Sequence, residues 1–231
     1  MILAIDPGIA TAGACAFDHG GDLVDADAFT SKPGKRPRGV TGAWEATDRA
    51  RRVVEFAHWL EELFTRHGHV DVLVFEAFGI AQSNQAGVLN AAAAGAVLTA
   101  AAIFGVGEIS QCTPTEWRKA IGFLACEKPR PPSKKQFDHL PKAERKAALR
   151  NAAREHRAVV APLKKLDDEQ LYGLVHDAGG DQVELRLVAH GRNRGTVTHA
   201  WDSYGIGRWF LRRREQLAGS ARSQSTHARA A

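Results

Sequence analysis

The chain opens Met1-Ile-Leu-Ala-Ile-Asp-Pro-Gly8, and this stretch limits what it can fold into more than any other. Ile2 to Ile5 is too short an apolar run for a helix and reads as a buried central strand. The strand delivers a carboxylate, Asp6, into the interior and then breaks at Pro7-Gly8, a turn dipeptide. An ionised carboxylate at the end of a buried strand is costly unless something positive meets it. A structural Arg or Lys, a phosphate-bound metal or a catalytic metal would each serve. An aspartate before Pro-Gly can also be a plain turn cap, so the partner must be sought further along.

The same design recurs once. Val70-Asp-Val-Leu-Val-Phe-Glu76 is a second short apolar strand ending in an acid, and a buried Glu needs a partner. Between the two, Thr11 to Phe17 and Leu23 to Phe29 extend the first strand into an antiparallel meander. Leu23 to Phe29 alternates apolar with acidic residues and reads as half-exposed. Residues 31–42 form a loop, and apolar positions from Ala43 to His67 recur at helical spacing. A second helix over 84–105 and a fifth strand from Val106 to Cys112 follow. Thr113-Pro-Thr-Glu116 then begins a helix, with Pro near its first position and Glu in its first turn. The pattern predicts an α/β fold with a mixed five-stranded sheet flanked by helices.

After residue 124 the pattern changes. Lys128-Pro-Arg-Pro-Pro-Ser-Lys-Lys135 reads as a basic loop. Residues 141–158 read as a helix with Lys142, Lys146, Arg150 and Arg154 at successive turns, a line of positive charge. A short acidic helix over 166–177, a strand from Gln182 to Ala189 and a last helix from His199 to Gln216 are expected. Residues 1–217 then form one domain carrying a basic insertion over about 124–195, and the Ser/Ala/Arg-rich residues 218–231 form a disordered tail.

Charge is divided along the chain. Residues 118–165 carry 14 Lys/Arg against 4 Asp/Glu, and residues 186–231 carry 9 against 2, so the rest is strongly acidic. A basic part beside an acidic part suits a protein that holds a polyanion over a carboxylate-lined site. Three widely spaced cysteines without a CxxC pair argue against a disulfide framework and for a reducing interior. With no basic segment ahead of the apolar start and no apolar run of membrane length, an intracellular protein free of membrane is expected.

The acids find company in His199-Ala-Trp-Asp202, where i, i+3 spacing sets His199 and Asp202 on one helical face. Asp6, Glu76, His199 and Asp202 around one space suit Mg²⁺ or Mn²⁺. Two such ions flanking a phosphodiester would hydrolyse it, with Asp6 bridging, Glu76 and Asp202 completing the two shells, and His199 a ligand or a group acting on the water.

Ile5-Asp6-Pro7-Gly8 with Gly13, Val74-Phe75-Glu76 and His199-Ala200-Trp201-Asp202-Ser203 together resemble the RuvC family of Holliday junction resolvases, within the RNase H-like superfamily. Thr113 to Gly122 and Asp202-Ser203-Tyr204-Gly205 look most like phage-type members, so a phage-encoded protein is one reading. The resemblance spans residues 1 to about 124 and again 196–211; the basic insertion between them is not part of it. It implies an RNase H-like fold, two metal ions per site, and a homodimer that binds a four-way DNA junction and nicks two strands symmetrically. It also places Phe78 near the junction crossover. Arg118, Lys119, Lys128, Lys134, Lys135, Arg145, Arg150 and Arg154 are the candidate DNA contacts. Other RNase H-like nucleases, either YqgF-like RNA-processing or transposase-type, share these acids. An actin-like ATPase, whose first strand also ends Asp-x-Gly, would need phosphate loops that this sequence lacks. A silent junction-binding protein would not need the intact acids.

Overall fold

A computed structural model describes residues 1–35, 39, 42–77, 84–190 and 197–228. Strands β1 (Ile2–Asp6), β2 (Thr11–Phe17) and β3 (Leu23–Thr30) form the meander, and β4 (Val72–Glu76) and β5 (Glu108–Cys112) complete the sheet. The sheet order is β3-β2-β1-β4-β5. β1 pairs antiparallel with β2 and parallel with β4, and β4 pairs parallel with β5. This is the mixed sheet expected of an RNase H-like fold.

β1 and β4 are apolar nearly throughout because both faces of the sheet are covered. Period-2 alternation sends Leu3 and Ile5 to one side, against Phe56, Leu60 and Phe64 of α1 (Gly42–His67) and Val97 of α2 (Asn84–Ile103). Ile2 and Ala4 face the other side, against Trp117 of α3 (Pro114–Ala120) and Tyr204 and Ile206 of α6 (Val197–Ala228). α3 begins where the sequence predicts, with Thr113 and Glu116 forming a reciprocal capping box.

Four expectations are corrected. β3 is not half-exposed: Asp25 and Asp27 are buried, because α5 (Asp181–Ala189) packs on the strand and cations reach both carboxylates. The segment 182–189 is that helix, not a strand; Val183 and Leu187, one turn apart, are its buried residues, and the intervening Leu185 is exposed. The separate helices over 141–158 and 166–177 are one, α4 (Lys142–Val175). Pro162 lies inside it, and Ala158 one turn earlier is exposed, so the carbonyl that Pro162 leaves unpaired can turn to water. α6 continues to Ala228 instead of ending at Gln216; once its first four turns are docked, each added residue costs little. A single π turn, His176–Gly180, joins α4 to α5. No described helix is long and apolar enough to cross a membrane. All three cysteines are free.

Candidate metal and nucleic-acid site

The adjacency of β1 and β4 places Asp6 and Glu76 at neighbouring strand ends, since Ile5 pairs with Phe75 one residue earlier. The third element arrives because of a glycine. A Cβ on Gly13, the residue paired with Asp6, would lie 2.1 Å from the carbonyl carbon and oxygen of His199. Only a residue without a side chain lets α6 cross β2 backbone to backbone there. Two hydrogen bonds fix the crossing: Asp6 N–H donates to Ser203 Oγ at 2.9 Å, and Ser203 Oγ donates to the His199 carbonyl at 2.9 Å. Cys15 Sγ adds a contact to the Ala200 carbonyl at 3.2 Å.

Ligand atoms of Asp6, His199 and Asp202 all lie within 4.8 Å of one another. His199 uses both ring nitrogens: Nδ1 is 2.6 Å from Asp6 Oδ2 and Nε2 is 2.7 Å from Thr11 Oγ1. The hydrogen bond to Asp6 outweighs burial and raises the affinity of the imidazole for a proton. Burial first, and Asp6 next, push the Asp202 carboxyl up to about 8, with only partial relief from Arg118. Asp202 Oδ1 is buried and has no hydrogen-bond partner among the described residues.

Glu76 stands beside this trio without joining it. Its Oε2 accepts a hydrogen bond from Trp117 Nε1 at 2.7 Å. Burial and the Asp6 charge raise its pKa, and the Trp117 bond opposes them. Arg118 lies over the Trp117 ring, 5.1 Å from its centre, and its charge lowers both Glu76 and Asp202. Tyr172 of α4 packs against Trp201 with ring centres 4.8 Å apart. A cleft of about 270 Å³ leads from Asp6 and His199 past the Pro7-Gly8 turn to Arg52, Leu89 and Asn90.

This donor set fits a divalent cation. Two carboxylates and an imidazole converge, and one buried carboxylate oxygen is left unsatisfied, a cost a bound ion removes. Thr11 would then act as the outer partner that orients a metal-bound imidazole. Sequence reasoning missed Thr11, although it lies five residues past Asp6, where the turn must bring the chain back alongside β1.

The predicted DNA contacts divide by what the fold does with them. Arg118 faces the acids. Lys128 is ion-paired with buried Asp167, whose Oδ1 also accepts the Cys126 N–H at 2.7 Å. Arg145 binds the Asp138 carboxylate at 3.3 Å and the Asp138 carbonyl at 2.9 Å. Lys119, Lys134, Lys135, Arg150 and Arg154 are exposed. Phe78 lies outside the described residues.

No protein-family model and no curated protein matches the sequence. Among solved structures, the chain is similar to Thermus thermophilus RuvC in complex with a Holliday junction substrate, at 15% identity and a TM-score of 0.46, covering 90% of each chain. It is similar as well to a structure of Thermus thermophilus RuvC, at 16% identity and a TM-score of 0.42, covering 91% of this chain and 95% of that one.

Proposed function

We propose that this protein is a divalent-metal-dependent endonuclease that, as a homodimer, resolves four-way DNA junctions by paired symmetric nicks. The observation that carries the nuclease reading is the convergence of Asp6, His199 and Asp202, with an unpartnered buried carboxylate oxygen, at the end of the central strand. The junction as substrate rests on the resemblance of the motifs around Asp6, Glu76 and Asp202 to those of RuvC proteins.

Asp6, Asp202 and His199 would hold one Mg²⁺ or Mn²⁺ ion, and Asp6 with Glu76 a second. Ions bound there polarise the scissile phosphate and lower the pKa of an attacking water. The chain's own residues do the positioning. Thr11 holds His199 Nε2, so that Nδ1 faces the acids. Trp117 holds Glu76 Oε2, leaving Oε1 for the site. Arg118 offsets part of the mutual repulsion of the acids. Cations outside the site hold the phosphate backbone, which makes binding strongly salt-dependent.

The test is cleavage of matched four-way, flap and linear DNA and of an RNA–DNA hybrid, with Mg²⁺ or Mn²⁺. Paired nicks on the four-way substrate are expected, with Asp6→Asn binding the junction and leaving it uncut. Cleavage of the hybrid with the junction ignored would overturn the resolvase reading. Metal-dependent cutting by Asp6→Asn would overturn the site. Light scattering in solution should return twice the chain mass, with or without DNA.

A further inference from the structure

α4 is unlike the other helices. None of its residues from Lys142 to Leu166 is buried, and its buried positions, Asp167, Leu171 and Val175, all lie in the last third. That last third is fastened to the helix that carries His199 and Asp202. Leu171 and Val175 join the core beside Ala200 and Tyr204, and Tyr172 packs on Trp201, the neighbour of Asp202. Just beyond it, Trp201 Nε1 donates to the Gly180 carbonyl at 3.3 Å, and the Tyr204 hydroxyl donates to that of Ala178. The Asp167–Lys128 pair braces the same base. From there the helix runs outward.

Along the outward part, one flank is covered by the segment that precedes the helix. His156 Nε2 is 2.9 Å from the Pro129 carbonyl, and Arg145 binds Asp138 and the Leu140 carbonyl. Pro129, Pro132 and Gln136 share a shallow cleft with Ala152, His156 and Val159. At about 100° per residue, Lys146, Arg150, Arg154 and Arg157 fall on the opposite flank. The carboxylates of this stretch, Glu144 and Glu155, fall away from them. Lys146, Arg150 and Arg154 are exposed and have no ion-pair partner among the described residues. A helix propped on one side and left with a clean cationic row on the other is a surface for a linear polyanion.

We propose that this row holds the phosphate backbone of a duplex DNA arm at a distance from the metal site. The inference rests on the nuclease reading and assigns α4 a separate part in it. At ~1.5 Å per residue, Arg154 and Lys146 lie about 25 and 38 Å from the docked turn at Leu171. Along a duplex rising ~3.4 Å per base pair, that corresponds to ~8–11 base pairs. The grip therefore depends on arm length, whereas contacts at the acids do not.

The test uses the full chain and four-way junctions with hairpin-capped arms of about 6 or about 20 base pairs, with affinity measured by fluorescence anisotropy in Ca²⁺. The wild type should bind the long-armed junction about 10- to 100-fold more tightly, and Lys146→Ala/Arg150→Ala/Arg154→Ala should erase that advantage. Its salt slope on long arms should fall by about 2–3, near 0.9 for each phosphate that is no longer neutralised. The charge-keeping variant Lys146→Arg/Arg150→Lys/Arg154→Lys should retain the advantage, which separates removal of charge from disruption of the helix. A triple alanine variant that keeps the full length advantage, or that loses affinity equally on both lengths, overturns the proposal. Failure of the wild type to cut either junction in Mg²⁺ or Mn²⁺ sinks the nuclease reading instead.

Discussion

At one end of the sheet Asp6 and Asp202 converge with His199, with Glu76 beside them and Arg118 nearby. Along the outer strand β3, Asp25 and Asp27 are buried as well, but matched by nearby donors. Arg66 reaches Asp25 at 3.2 Å and Asp27 at 3.0 Å, Trp59 Nε1 donates to Asp27 at 3.3 Å, and His190 lies 2.7 Å and His67 3.3 Å from Asp25. Burial pulls Asp25 upward, yet the contacts from His67, His190 and Arg66 outweigh it and hold the carboxyl well below the usual range. Asp202 moves the opposite way, up to about 8. Burial alone therefore does not mark a functional acid. The acids whose charge is only partly offset are the candidates for binding a ligand, and those on β3 bind the end of α1 and the end of α5 to the sheet edge.

Breaking one side of this contrast should cost activity and the other stability. Asp202→Asn is expected to reduce metal-dependent cleavage about a thousandfold or more and to raise the metal-free Tm at neutral pH by about 2–4 °C, because the folded chain no longer has to hold a proton that the unfolded chain releases. Single-turnover cleavage and calorimetry check both; a less stable variant would erase the distinction. Asp27→Ala leaves the Arg66 guanidinium and the Trp59 indole short of a partner and should cost about 2–4 kcal/mol. Chemical denaturation reads that loss. Mn²⁺ at about a hundred times its Kd should stabilise this variant and the wild type alike by ~2.7 kcal/mol, but not Asp202→Asn.

A smaller change sharpens the metal side. Thr11→Val should weaken Mn²⁺ binding about tenfold by releasing His199 Nε2, and Thr11→Ser should restore it; titration calorimetry separates the two. The smallest effect is the pH dependence of metal-free stability, where the two regions carry opposite signs. A depressed carboxyl, Asp25, stabilises above the unfolded value of ~3.9, and that contribution is lost as pH falls below it. A raised one, Asp202, keeps in the folded state a proton that the unfolded chain releases above ~3.9. Its contribution is lost as pH rises from there through about 8. Melting curves across pH should show Asp25→Asn flattening the fall below ~3.9 and Asp202→Asn flattening the decline between there and about 8. Binding of Mn²⁺ should strengthen as pH rises toward about 8 and the competing proton leaves.

The two regions also differ in how readable they are. Asp6 and Glu76 stand out because each ends an apolar run, and a run of neighbours is all that period and hydropathy sense. Asp25 and Asp27 look like the wet face of a strand by the same test. Their neutralising partner, Arg66, is about forty residues away, on a helix whose own pattern gives no hint of it. The same blindness affects the cations: Lys128 and Arg145 look as free as Arg150 and Arg154, and only Asp167 and Asp138 in space withdraw them. In α5, alternating apolar residues read as a strand until the one-turn spacing of Val183 and Leu187 is seen to face the sheet.

What the sequence determined by itself is local: that β1 and β4 are buried strands ending in acids, where α3 is capped, and that positive charge is kept apart from the acids. Short-range sterics and hydropathy decide these, and they act between near neighbours in the chain. Which acids meet was decided by tertiary structure. The order β3-β2-β1-β4-β5 brings Asp6 beside Glu76, and the bare backbone of Gly13 admits α6 closely enough for His199 and Asp202 to reach Asp6. Trp117 donates to one oxygen of Glu76, which stands beside the trio. Those contacts join residues up to two hundred positions apart, and their energies depend on distances that no stretch of sequence contains.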